Sequence, residues 1–146
     1  MDFITVSMLT FNLLYCLFII SHDRRRILRF NVIRHPTTSW IVQELREAFP
    51  LRSAPRFLLL DHDQKYGREM PAAIRSMSMA CLQTSIQSPW QYGVAELWVG
   101  SGRRDSLDHV IALNDQHLKR FLSGYVRYYH NRRVHLGLKK GMSCLP

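Results

Sequence analysis

Three acidic side chains stand at places in this sequence where they could hold divalent metal ions. Asp2 opens an apolar run at the N-terminus, Asp61 directly follows the apolar run Phe57–Leu60, and Glu96 lies further on in a segment of helical character. Carboxylate oxygens are hard ligands that suit Mg²⁺ and Mn²⁺. If the three side chains converge, they could hold metal ions for phosphoryl transfer on nucleic acid, because such ions stabilise the attacking and the leaving oxygens.

Each of these acids also has an ordinary interpretation. Asp2 could be a polar residue near a chain terminus, Asp61 a turn residue after a strand, and Glu96 a solvated acid on a helix. Asp63 is an alternative to Asp61, because side chains two residues apart on a strand lie on the same face. Spacing alone leaves these interpretations open.

The charge balance favours a polyanionic partner. The chain has 20 Lys and Arg against 11 Asp and Glu, a formal net charge of +9 and an isoelectric point of about 10. Such a balance favours nucleic acid first and anionic membrane surfaces second. Tyr128 and Tyr129 could stack on bases beside these cations, although core packing of the pair is the favoured interpretation. The arginines that we expect to contact DNA are Arg103, Arg104, Arg127, Arg132 and Arg133.

The secondary-structure pattern predicts an α/β fold in which these residues would be positioned. Runs rich in Phe, Ile, Val, Thr and Tyr predict strands, and apolar residues at helical spacing predict helices. We predict strands over 2–7, 13–20, 27–33, 56–60 and 81–85, and helices over 38–49, 70–79, 92–107 and 114–131. The first three strands follow one another closely, which predicts an antiparallel meander.

Length and composition set further bounds. A chain of 146 residues suits one domain with a real core. The three cysteines are far apart and show no metal-ligand spacing, so we expect reduced thiols. Residues 3–20 form a long apolar stretch, and a membrane-spanning helix is the alternative there to two strands.

Several short motifs, in order and over nearly the whole chain, resemble one known family. They are Asp2-Phe3, residues 21–26, His35-Pro36-Thr37, Asp61-His62-Asp63 followed by Tyr66-Gly67, Ser88-Pro89-Trp90-Gln91 ahead of Glu96, residues 100–109 and Tyr128-Tyr129-His130-Asn131. Together these resemble the ribonuclease-H-like catalytic core of insertion-sequence transposases and retroviral-type integrases. The distance from Asp61 to Tyr66 matches that family, and therefore favours Asp61 over Asp63.

The resemblance implies a fold and an activity. The fold would be a ribonuclease-H-like mixed sheet, three antiparallel strands followed by two parallel ones, with helices on both faces. Asp2, Asp61 and Glu96 would bind two Mg²⁺ or Mn²⁺ ions and catalyse DNA strand cleavage and strand transfer. The partners would be DNA and further copies of the chain, with no membrane, in a cytoplasmic, nucleoid-associated setting.

Some positions depart from the family pattern. Tyr92 and Leu97 flank Glu96 where the family commonly has Asn and a basic residue, and Gly102 lies inside the predicted catalytic helix. We expect a catalytic core over 1–131, a basic tail over 132–146, and no N-terminal DNA-recognition region. These features favour a truncated or degenerate copy. A catalytically inactive, basic DNA-binding or dimerisation remnant is the alternative.

Overall fold

A computed structural model describes the backbone of residues 1–21, 26–50, 53–61, 64–83, 107 and 110–142, and the side chains of these residues up to 131. Three strands begin the chain: β1 (Asp2–Ser7), β2 (Leu13–Ile20) and β3 (Ile27–Ile33). They pair antiparallel in the order β1-β2-β3. The predicted strand bounds and the meander are therefore confirmed.

Helix α1 (Thr38–Ala48) follows the break at His35-Pro36. The hydroxyl of Thr37 accepts a hydrogen bond from the backbone N–H of Trp40 and so caps the first turn. Ile41 and Leu45, one turn apart, are fully buried. The predicted helix over 38–49 is confirmed to within one residue.

The second half of the described sheet structure is parallel. Strand β4 (Phe57–Leu60) leads through a 3-10 helix (Gln64–Tyr66) to helix α2 (Met70–Ser76) and strand β5 (Ala80–Gln83). β4 and β5 pair in parallel, with Leu60 opposite Gln83. Helix α2 ends three residues earlier than expected, and Ser78 there takes a left-handed backbone conformation with φ 62°.

Helix α3 (Asp115–Met142) is the longest element. The side chain of Asn114 accepts a hydrogen bond from the backbone N–H of His117, as the predicted cap requires. The predicted end near Asn131 is wrong, because the helix continues for eleven further residues. No proline interrupts residues 132–142, and the glycines there cost helix stability without ending the helix.

The core lies on both faces of strand β2. Leu14, Cys16 and Phe18 pack in one apolar cluster with Leu118 and Leu122 of α3. Leu17 and Ile19 point the other way, into a second cluster with the buried residues of α1, β4 and α2. Helices therefore cover both faces of the sheet, and this explains why β2 is apolar without alternation.

The five described strands form two sheets, one antiparallel with three strands and one parallel with two. The amine of Met1, the residue before β1, donates a hydrogen bond to the carbonyl of Leu59 in β4, 3.1 Å away. The Tyr66 hydroxyl adds a second tie by donating to the carbonyl of Met1. Strand types and order thus follow the prediction, with hydrogen bonding divided between two sheets.

Residues 3–20 form β1, β2 and their turn, so the helical alternative for this stretch is wrong. Within the described ranges, no helix combines the length and the apolar character needed to cross a bilayer. The predicted helix over 92–107 lies outside the described residues apart from Leu107, as do the last two residues of the predicted strand over 81–85.

Candidate functional site

Two of the three predicted metal ligands stand at strand ends. Asp2 is the first residue of β1, paired opposite Phe18 of β2. One oxygen of its carboxylate accepts a hydrogen bond from the backbone N–H of Phe3, at 2.7 Å. Asp61 is the first residue after β4 and is exposed. Strand ends fix backbone position while leaving a side chain accessible.

The amine of Met1 lies near both of these acids. Burial lowers the pKa of this amine from 8.0 to about 6, and the negative charges of Asp2 and Asp61 act in the opposite direction. Both carboxylates are therefore within electrostatic reach of one nitrogen atom. Because that nitrogen also bonds to Leu59, two residues before Asp61, the ends of β1 and β4 meet at this point.

Tyr66 contacts this junction through Met1 and Phe3. The sequence distinguished Tyr66 only by its spacing from Asp61. The Tyr66 side chain is buried, and its hydroxyl lies 3.3 Å from the carbonyl of Met1. The ring of Tyr66 also packs against that of Phe3, with centroids 5.6 Å apart. Burial of the Tyr66 hydroxyl explains this role, because a buried Tyr O–H needs a hydrogen-bond partner.

Lys65 is a second residue that the sequence did not single out. Its ammonium lies 5.7 Å from the ring centre of Phe3 and 5.3 Å from that of Tyr15. Cation–π contacts of this kind hold a lysine head in place. A cation is thus positioned beside the residue that follows Asp2.

The donor set of this junction fits Mg²⁺ or Mn²⁺ in ligand type, since both described candidates are carboxylates. The described residues contain no group of three or more His, Cys, Asp or Glu side chains that could hold a metal ion. The third predicted ligand, Glu96, and the alternative acid Asp63 both lie outside the described residues. The structure therefore brings Asp2 and Asp61 together and leaves the position of Glu96 as a prediction.

The predicted DNA-binding arginines fall into two groups. Arg103 and Arg104 lie outside the described residues, whereas Arg127, Arg132 and Arg133 are all in α3. Arg127 is exposed, and of Arg132 and Arg133 the backbone is described. By sequence, α3 carries seven of the 20 Lys and Arg residues and one of the 11 acids. The strongest concentration of positive charge is therefore on one helix.

The tyrosines of α3 divide between the two interpretations. Tyr129 stacks on Tyr125 at 6.5 Å and packs against the apolar cluster of β1, β2 and β3. Tyr128 is 55 % exposed beside Arg127. Core packing thus holds for Tyr129, whereas more than half of the Tyr128 side chain is exposed.

His130 ties α3 to the sheet. Its Nε2 accepts a hydrogen bond from the backbone N–H of Ile27 at 3.1 Å. Burial, and secondarily the neighbouring Arg26 cation, lower the pKa of His130. His130 therefore has a structural role in joining α3 to β3.

Comparison with known proteins bears on the fold. No protein-family model matches the chain, and no curated protein matches it. A chain of the cryo-EM structure of the simian T-cell lymphotropic virus intasome in complex with PP2A regulatory subunit B56 gamma is similar, with a TM-score of 0.61 at 16 % sequence identity. The match covers 83 % of this chain and 45 % of that chain. This chain therefore shares a fold with a component of a viral intasome assembly and spans less than half of that component's length.

Proposed function

We propose that the chain is the catalytic core of a DNA transposase or integrase, which cleaves and joins DNA strands by phosphoryl transfer with two divalent metal ions. The observation that carries the proposal is the junction of β1 and β4, where the amine of Met1, next to Asp2, donates to the carbonyl of Leu59, two residues before Asp61. Similarity in fold to a chain of an intasome structure supports the same class of function.

In this proposal each acid has one role. Asp2 and Asp61 would hold the ions at the junction of β1 and β4, and Glu96 would complete the ligand set. Mg²⁺ or Mn²⁺ bound there would supply positive charge for in-line displacement at a phosphodiester. At this junction the Phe3 backbone N–H donates to one oxygen of the Asp2 carboxylate, and the Tyr66 hydroxyl donates to the carbonyl of Met1, the residue before Asp2.

Helix α3 would hold the DNA backbone. Its exposed Arg127 makes no ion pair among the described residues, and a cation without an acidic partner is free to bind phosphate. Arg132 and Arg133 would extend this contact along the helix, and Arg103 and Arg104 would bind phosphates near the acids. DNA as substrate places the protein at the nucleoid, and joining two DNA ends calls for more than one copy of the chain.

A direct test is Mn²⁺ binding measured by calorimetry on the wild type and on Asp61→Asn and Glu96→Gln. We expect both substitutions to weaken binding by about tenfold or more, because each removes a charged ligand from the set. The matched control is Asp115→Asn. Asp115 lies three residues after Ala112, which forms a bridge with Met8, and Met8 is about 20 Å from Asp2 at the usual strand rise. Binding that is equal in all four proteins would refute the proposed metal site.

Nicking of supercoiled plasmid separates the proposed enzyme from the inactive remnant. The enzyme should nick plasmid with Mn²⁺ and lose this activity in Asp61→Asn. An inactive remnant would still bind DNA through the positive charge of α3, because this binding needs no metal. Retained DNA binding without any metal-dependent nicking would support the remnant.

A further inference from the structure

A cleft of about 570 Å³ opens between the end of α2 and strand β5. Pro71 and Met79 supply apolar walls, and Arg75, Ser78, Cys81 and Gln83 supply polar groups. None of the described lining residues is acidic. The cleft therefore combines one full positive charge with hydroxyl and amide donors, a set that suits an anionic ligand with several oxygens.

Arg75 is the charged group of the cleft. It is exposed in the last turn of α2, and among the residues that the structure describes it makes no ion pair. Burial raises the pKa of the Cys81 thiol, and the Arg75 cation acts in the opposite direction. The guanidinium thus lies within electrostatic reach of the cleft wall formed by β5.

The backbone beside Arg75 is shaped by the turn between α2 and β5. The N–H of Ser78 donates to the carbonyl of Arg75 at 3.0 Å, and Ser78 takes its left-handed conformation at this point. The turn brings the Ser78 side chain to the same cleft as the arginine.

One end of the cleft lies near a candidate metal ligand. Gln83, at that end, pairs with Leu60, and Asp61 is the first residue after β4. A DNA strand whose reacting phosphate lies at Asp61 would therefore have neighbouring phosphates near Gln83 and Arg75.

We propose that this cleft binds backbone phosphates of the DNA strand on which the site acts, with the Arg75 guanidinium and the Ser78 hydroxyl at one end and the Gln83 amide at the other. The guanidinium can form bidentate hydrogen bonds with phosphate, and Ser and Gln side chains commonly donate hydrogen bonds to phosphate. The inference rests on the proposed function, because it takes DNA as the ligand. It adds a second anchoring point, apart from α3, that orients the strand.

Arg75→Ala can be tested against a closely matched control, Arg46→Ala. Arg46 is also exposed in the last turn of a helix, α1, and makes no ion pair in the described part of the chain. Both substitutions remove one charge from the same helical position. The probe is a fluorescein-labelled single-stranded oligonucleotide, titrated by anisotropy with a chelator present.

We expect Arg75→Ala to weaken binding by about tenfold, the usual loss for a charge-assisted hydrogen bond. Arg46→Ala should change it little. Equal losses in the two variants would overturn the inference, since they would reflect net charge alone. Equal urea midpoints for both variants would confirm that folding is not the cause.

Alkylation of Cys81 locates the bound strand independently. Cys81 is half-buried in the cleft, whereas Cys16 is buried and its pKa is raised by burial to about 12. In a Cys144→Ser background, saturating oligonucleotide should slow the reaction of Cys81, and an unchanged rate would overturn the inference. Because neither assay needs metal, absence of Mn²⁺-dependent nicking would count against the proposed function and leave this result standing.

Discussion

Gly67 occupies a backbone conformation that few other residues adopt, at φ 71°. A Cβ at this position would lie 2.5 Å from the Oγ1 of Thr38, which itself donates a hydrogen bond to the carbonyl of Tyr66. Gly67→Ala should therefore destabilise the fold by about 1–3 kcal/mol in urea unfolding.

Gly124 provides the opposite case, because nothing in the structure lies within 4 Å of a Cβ built there in α3. Gly124→Ala should stabilise the chain by up to about 1 kcal/mol. If both substitutions changed stability in the same direction, the left-handed backbone of Gly67 and its close approach to Thr38 would not explain why glycine is needed there.

The residue types of the junction could be predicted from the sequence, but their convergence could not. Asp61 follows a short apolar strand, and this indicated a strand end with an accessible acid. The contact between Met1 and Leu59 joins residues 58 positions apart. No local pattern encodes that contact, since it depends on how two sheets pack through the cluster around Leu17 and Leu60.

At the level of elements, one histidine fixes α3 on β3. His130 must be neutral at Nε2 to accept the N–H of Ile27. Its pKa lies below the ordinary 6.5, so the unfolded chain takes up the proton more readily than the folded one. Stability from this residue is complete above about pH 6.5 and is lost as the pH falls from there towards the folded pKa.

Urea unfolding as a function of pH checks this prediction. His130→Gln should remove part of the loss of stability on acidification, because the titrating group is gone. The control is His35→Gln, which removes an exposed histidine before α1. A pH dependence unaltered by His130→Gln would show that this hydrogen bond does not couple to protonation.

Element bounds were predictable where local chemistry sets them. The Asn114 cap and the His35-Pro36 break gave helix starts that the structure confirms. The end of α3 was missed because basic residues after Asn131 suggested a solvated tail, whereas lysine and arginine are good helix formers. The basic composition of this segment therefore predicted a tail where the structure has a helix.

At the scale of the whole molecule, positive charge is concentrated on the side of the sheet that α3 covers. Helix α3 accounts for six of the nine formal net positive charges, and α1 packs in the cluster on the other side of β2. If the protein binds DNA as proposed, the charge of α3 would orient the DNA along this helix, with the junction of β1 and β4 at the edge of the sheet.

The double variant Arg120→Ala/Arg127→Ala tests this orientation. Both arginines are exposed and two turns apart in α3, so they can contact phosphates of one backbone. Removing two phosphate contacts should lower the slope of log affinity against log salt by about 2 for duplex DNA. The control, Arg46→Ala/Arg56→Ala, removes the same charge from exposed positions in α1 and just before β4. Because α1 and β4 pack on the other face of β2 from α3, the slope of this control should stay near that of the wild type. Equal reductions in both double variants would show that DNA responds to net charge without a preferred face.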